Sequence, residues 1–118
     1  MDESILDSSR FPYLKMQPGH WEIVKEILER NVQDLEVWAF GSRVILNEIS
    51  IVKVKEYSDL DLAIISVNPM GFVLLSKLNE EFRASELPYK VDVVEWLTTS
   101  DSFKKIIELG RIVIQEPT

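Results

Sequence analysis

Asp59-Leu60-Asp61-Leu62-Ala63-Ile64-Ile65 opens with two acids alternating with leucine and closes on an unbroken apolar run. That change of pattern predicts a strand that is solvated on one face where it begins and buried on both faces further along. Such a strand lies inside a sheet, so the rest of the chain must supply strand neighbours and covering helices. Tyr57-Ser58 and Asn68-Pro69 bound it.

Outward from this strand, helical and extended patterns alternate. On the N-terminal side, Leu35-Glu36-Val37-Trp38-Ala39-Phe40 is a short apolar and aromatic run that halts at Gly41-Ser42-Arg43, as a buried strand entering a tight turn does. Before it, from Pro18 onward, Trp21, Val24, Ile27 and Leu28 recur at helical spacing, opposite Glu22, Lys25, Glu26, Glu29 and Arg30. On the C-terminal side, Phe72, Leu75, Leu78 and Phe82 predict a helix that runs out near Glu86 to Pro88, and Lys90-Val91-Asp92-Val93-Val94-Glu95-Trp96 predicts a strand. Thr99 or Ser100 can cap a helix carrying Phe103, Ile106, Ile107 and Leu109, stopped at Gly110 and followed by an Ile112-Val113-Ile114 strand. Val44 to Glu56 carries two readings: a helical turn or two over Val44-Ile45-Leu46-Asn47-Glu48-Ile49, and an alternating strand over Ile51-Val52-Lys53-Val54-Lys55. Residues 1–17 show no period and read as an irregular lead-in whose aromatics pack down on the domain. The expectation is one α+β domain over 18–118, a small mixed β-sheet with helices packed on it, and 44–56 as an insertion.

Composition narrows the chemistry. A chain of 118 residues suits one compact core. Thirteen Lys and Arg against twenty Asp and Glu leave a net charge of -7, which disfavours nucleic acid and anionic membrane surfaces as partners. With no cysteine there are no disulfides, thiolate metal sites or Cys nucleophiles, and the single histidine, His20, excludes a multi-histidine zinc cluster within one chain. No run approaches the 18 to 20 apolar residues of a membrane span and Met1 to Leu14 lacks the pattern of a signal peptide, so a cytoplasmic protein is expected. The glycines form neither a dinucleotide-binding nor a P-loop pattern. A small domain this apolar commonly buries surface against a second copy, as a homo-oligomer, or against a partner.

The acids carry the remaining signal. Asp59 and Asp61 lie one residue apart in a strand, so both side chains face one way with Cα atoms roughly 6.5–7 Å apart. Two carboxylates so placed call for a cation, a proton or water between them. Oxygen ligands without histidine or thiolate suit Mg²⁺, or Mn²⁺, better than zinc. Asp92 can add a third carboxylate if its strand lies alongside. In Gly41-Ser42 the glycine lets backbone approach a ligand and the serine offers a hydroxyl to phosphate oxygens; a plain strand-ending turn is the other reading. Arg43 suits a phosphate or a surface salt bridge equally. His20 reads as a solvated or capping residue. Trp21, Trp38, Trp96, Phe72, Phe82 and Phe103 read as core rather than base-stacking groups, Glu80, Glu81 and Asp101 as solvated helix faces, and Glu95, three residues from Asp92, as pointing away from it.

Trp38-Ala39-Phe40-Gly41-Ser42-Arg43 followed by Tyr57-Ser58-Asp59-Leu60-Asp61-Leu62-Ala63-Ile64 resembles the signature of the polymerase-β-type nucleotidyltransferase superfamily: Gly-Ser, a spacer, then Asp-x-Asp. More narrowly, the chain is similar to the minimal nucleotidyltransferases, or MNT proteins, with Lys90 to Trp96 matching their third-carboxylate strand and the likeness running from about Trp21 to Gln115. The resemblance implies a small mixed sheet with helices on one side, and transfer of a nucleotidyl group, AMP from ATP, to a hydroxyl with release of pyrophosphate. It implies that Gly41, Ser42 and Arg43 bind the nucleotide's phosphates, that Asp59 and Asp61 hold two Mg²⁺ ions, and that Asp92 completes the metal site and helps to deprotonate the hydroxyl. The implied acceptor is a helical HEPN-type toxin for which the chain would be the antitoxin. One departure stands out: the family joins its two motifs by a short glycine-containing loop, whereas Val44 to Glu56 is thirteen residues long and lacks glycine. Such a segment would limit nucleotide access, serve as a docking surface, or leave a protein of the same fold that binds its partner without transferring anything.

Overall fold

The computed structural model describes residues 11–50 and 54–118. The elements are β1 (Tyr13–Leu14), α1 (Pro18–Val32), β2 (Glu36–Phe40), β3 (Val44–Ile45), β4 (Leu60–Ile65), α2 (Phe72–Ala84), β5 (Val91–Glu95), a 3-10 turn (Trp96–Thr98), α3 (Asp101–Leu109) and β6 (Ile112–Gln115). β5, β4, β2 and β6 form one sheet in that order. β4 and β5 are parallel, and β2 runs antiparallel to both β4 and β6. A parallel pair needs a crossover, which α2 supplies between β4 and β5. The apolar run of β4 is explained by its place: Leu60, Leu62, Ala63 and Ile64 are all fully buried, with strands on either side.

Side chains alternate across a strand, so the sheet has two faces with separate cores. On one face Val37, Ala39, Leu60, Leu62 and Ile64 meet Val24, Ile27, Leu28 and Val32 of α1 and Leu78 and Phe82 of α2. On the other, Trp38, Phe40 and Ala63 meet Ile107 of α3, with Val94, Trp96 and Val113 at the margin. The helices therefore do not lie on one side, as the resemblance implied; α3 sits opposite α1 and α2, because the second face is too apolar to be left to water. Ser100 caps α3, its Oγ accepting the Phe103 N–H at 3.3 Å, and the helix stops at Gly110.

The lead-in expectation needs correction at its C-terminal end. Tyr13 and Leu14 pair antiparallel with Ile45 and Val44, and Leu14 and Met16 are buried in the main core. A two-residue strand is too short to show a period, and its partner lies some thirty positions away. The same pairing decides the ambiguous segment: Val44–Ile45 is strand, not helix, and a turn follows in which Ser50 Oγ accepts the N–H groups of Leu46 and Asn47 at 2.9 and 3.1 Å. Val54 and Lys55 lie in no strand; Ile51 to Lys53, like Met1 to Arg10, fall outside the described residues. Phe72 is a second correction, 84% exposed at the first residue of α2, whose sheet-facing side is carried by Leu78 and Phe82. Glu81 is a third: it bridges α2 to α1, accepting from Arg30 at 2.7 Å and Asn31 at 3.0 Å. No described helix is long and apolar enough to cross a membrane.

Candidate active site

The parallel register sets Asp61 of β4 directly beside Asp92 of β5. Neighbouring strands lie about 4.8 Å apart, so two carboxylates project from adjacent positions on the α3 face of the sheet. Asp59 precedes β4 at the same mouth and is exposed. Burial pushes the Asp61 carboxyl up to about 6, and the charges of Asp92 and Asp59 push the same way against the opposing pull of Lys90. Lys90 Nζ lies 3.1 Å from Asp92 Oδ1.

Gly41 ends β2 at φ +83°, a left-handed conformation that glycine adopts without strain. It also stands against Asp61, where a Cβ on residue 41 would run into the carboxylate Oδ2. Backbone thus stands in place of a side chain immediately beside the Asp61 carboxylate. Ser42 is exposed on the same turn.

A cleft of about 680 Å³ opens from these carboxylates across the α3 face. Asp61, Asp92 and Gly41 form its polar end; Phe40, Leu46, Phe103 and Ile106 are among its apolar walls. Phe103 meets Phe40 edge to face with ring centroids 5.8 Å apart, so it is a cleft wall and, at 36% exposed, not the core residue its spacing suggested. Leu46, from the long segment after Arg43, closes on Gly110, whose Cα would carry a Cβ only 3.2 Å from Leu46 Cδ1. Sequence reading missed Leu46 and Lys90; for Lys90 the signal was present, since two residues before Asp92 is the same strand face.

Arg43 is placed elsewhere. It is 5% exposed, and its guanidinium donates to the carbonyls of Ser58 at 2.8 Å, Lys15 at 3.0 Å and Glu56 at 2.9 Å. Its Cζ lies 3.8 Å from the Tyr89 ring centroid, and it lines a separate cavity with His20 and Tyr89. His20 Nδ1 is 3.4 Å from the Tyr89 hydroxyl, away from the carboxylates. Trp38 and Trp96 pack edge to face, 4.8 Å between centroids. Glu95 points to the opposite face, where it accepts the Met70 N–H at 2.6 Å.

The donors fit a hard divalent cation in kind: all oxygen, and with more negative charge than Asp61 can comfortably share. Among the described residues, no three His, Asp or Glu side chains stand close enough together to enclose one ion. Asp61 and Asp92 on adjacent strands, with exposed Asp59 preceding β4, are the oxygen donors that would hold it.

The sequence and the fold have counterparts among known proteins. A family model described as polymerase beta, nucleotidyltransferase matches residues 22–117. A relative from Haemophilus influenzae, named "Probable protein adenylyltransferase MntA", is 47% identical over 106 residues, covering 90% of this chain and 88% of that protein. Among solved structures, one described as a toxin-antitoxin with AMP-PNP superposes with a TM-score of 0.62 at 19% identity, over 82% of this chain and 73% of that one. A mutant of a toxin-antitoxin called MntA-HpeT gives 0.60 at 18% identity, over 83% and 73%. At such identities the structures speak for the fold, while the family model and the Haemophilus relative span nearly the whole sequence. The chain accordingly belongs to the polymerase-β-type nucleotidyltransferase family and is a nucleotidyltransferase.

Proposed function

We propose that the chain moves AMP from ATP to a hydroxyl of a partner protein, a HEPN-type toxin, and acts as that toxin's antitoxin. The observation that carries this reading is the pairing of Asp61 with Asp92 across the parallel strands, with Gly41 backed onto Asp61 so that phosphates can reach the acids. The relative named as a protein adenylyltransferase, and the toxin-antitoxin described with AMP-PNP, support the nucleotide and the class of acceptor.

In this reading Asp59, Asp61 and Asp92 hold the divalent cations, two Mg²⁺ ions with Mn²⁺ as substitute, and Gly41 and Ser42 receive the outer phosphates. When bound, the cations neutralise charge on the transferred phosphate and ease deprotonation of the hydroxyl. Asp92 is the base: it takes the proton as the acceptor oxygen bonds to the α-phosphorus, while the bond to the pyrophosphate oxygen breaks. The apolar walls of the cleft offer the acceptor's side chain a surface to pack against as its hydroxyl reaches the acids. Arg43 serves by holding the mouth rather than by meeting phosphate, since three backbone carbonyls already occupy its guanidinium.

The test is label transfer from ATP labelled at the α-phosphate, with Mg²⁺ and the helical partner protein. Asp59→Asn with Asp61→Asn should lower transfer about a hundredfold or more while leaving the fold and the complex intact. One observation favours a second reading, a protein that binds its partner without transfer: Leu46 reaches over the cleft beside Asp61 and meets Gly110. Complex formation with no label from any of the four nucleoside triphosphates would select it.

A further inference from the structure

We propose that Lys90 is the built-in counter-ion of this site, holding Asp92 until a divalent cation takes its place. The inference rests on the cation-dependent reading above.

Leu60 pairs with Val91 and Asp61 with Asp92, and the Leu60 N–H donates to the Lys90 carbonyl at 2.9 Å. Asp59 and Lys90 therefore precede the paired residues side by side. With alternation along each strand, Asp59, Asp61, Lys90 and Asp92 make the four corners of one patch. Three corners are carboxylates and the fourth is an ammonium. Lys90 Nζ contacts Asp92 Oδ1 at 3.1 Å. The Lys90 side chain is 71% exposed, so nothing packed against it prevents it from turning away.

A divalent cation held by Asp92 would bring a second positive charge onto the carboxylate that Lys90 already contacts, and like charges on one carboxylate repel. Cation binding therefore weakens the hold of Lys90 on Asp92 and favours its displacement. Once displaced, the ammonium still borders Asp59 at the mouth where a triphosphate brings its negative charge. Lys90 thus opposes the cation when the site is otherwise empty and assists the anion when it is filled.

These roles give effects of opposite sign. Titration of the whole chain with Mn²⁺ alone, followed by electron paramagnetic resonance of the free ion, should show Lys90→Met binding about two- to fivefold tighter than the unaltered chain. Lys90→Arg should restore the original affinity, and added salt should shrink the difference. Binding of Mn²⁺ with a non-hydrolysable ATP analogue should weaken in Lys90→Met. Equal Mn²⁺ affinity in the unaltered chain and Lys90→Met would overturn the counter-ion role and leave the cation-dependent reading standing. Absence of Mn²⁺ binding from every chain, with and without nucleotide, would overturn the reading itself.

Discussion

At Asp61 the fold keeps a carboxylate in a place that opposes its charge. Burial is the larger cause and the neighbouring carboxylates of Asp92 and Asp59 add to it, so the group titrates near 6 instead of 3.8. The folded chain then binds more protons than the unfolded chain between those two values, and its stability rises as pH falls through that window. Above pH 6 the penalty is complete. In metal-free buffer, Asp61→Asn should raise the Tm clearly at pH 7.5 and much less at pH 4, where both folded side chains are neutral and only the unfolded Asp61 is still partly ionised. Thermal unfolding of the two chains across pH 4 to 8, with a chelator present, checks this. A flat difference across that range would mean that Asp61 carries no electrostatic strain. Such a cost, borne by a carboxylate at the mouth of a cleft, is common where a fold carries chemistry.

At the scale of elements, Arg43 joins segments that share no sheet. Its guanidinium ties the carbonyl after β1 to the Glu56 and Ser58 carbonyls leading into Asp59, and its flat face covers the Tyr89 ring. Arg43→Met would keep the bulk and leave three carbonyls without their donor. With an unmet buried polar group costing about 1–3 kcal/mol, some of it recovered by water, the expected loss is about 2–4 kcal/mol in urea unfolding. Lys cannot reach three divergent acceptors and should rescue little. Loss of nucleotide affinity at unchanged stability would instead point to a phosphate role.

The same element scale shows what the sequence could disclose. The helical stripe from Trp21 to Leu28 and the mixed pattern of β4 were readable, since burial on one or both faces leaves a period. The strand pair β1 and β3 was not, because two residues have no period and their pairing is long-range. The Gly-Ser turn and the three acids were readable as residue types at spacings. The fate of Arg43 was not, because nothing local distinguishes a guanidinium meeting phosphate from one meeting carbonyls fifteen and twenty-eight residues away.

Over the whole molecule, the two faces of the sheet are covered to different degrees. The face under α1 and α2 is closed, with Leu62 fully buried among helix side chains. The face under α3 is only partly covered, and it holds the carboxylates and the cleft, whose most exposed apolar walls are Ile106 at 61% and Leu109 at 83%. Truncation should therefore have different consequences on the two sides. Leu62→Ala removes packed methyl groups from a core that cannot collapse around the gap, at roughly 2–5 kcal/mol, and should lower the Tm on the order of 10 °C. Ile106→Ala and Leu109→Ala remove groups already largely in water, so each should stay within about 0.5 kcal/mol. Their effect should fall on the KM for transfer, because a substrate approaching Asp61 and Asp92 from the cleft crosses them. Measuring Tm and KM on all three variants separates the faces: a large Tm loss at Ile106 or Leu109 would mean that α3 is a structural cover and not the wall of a working cleft.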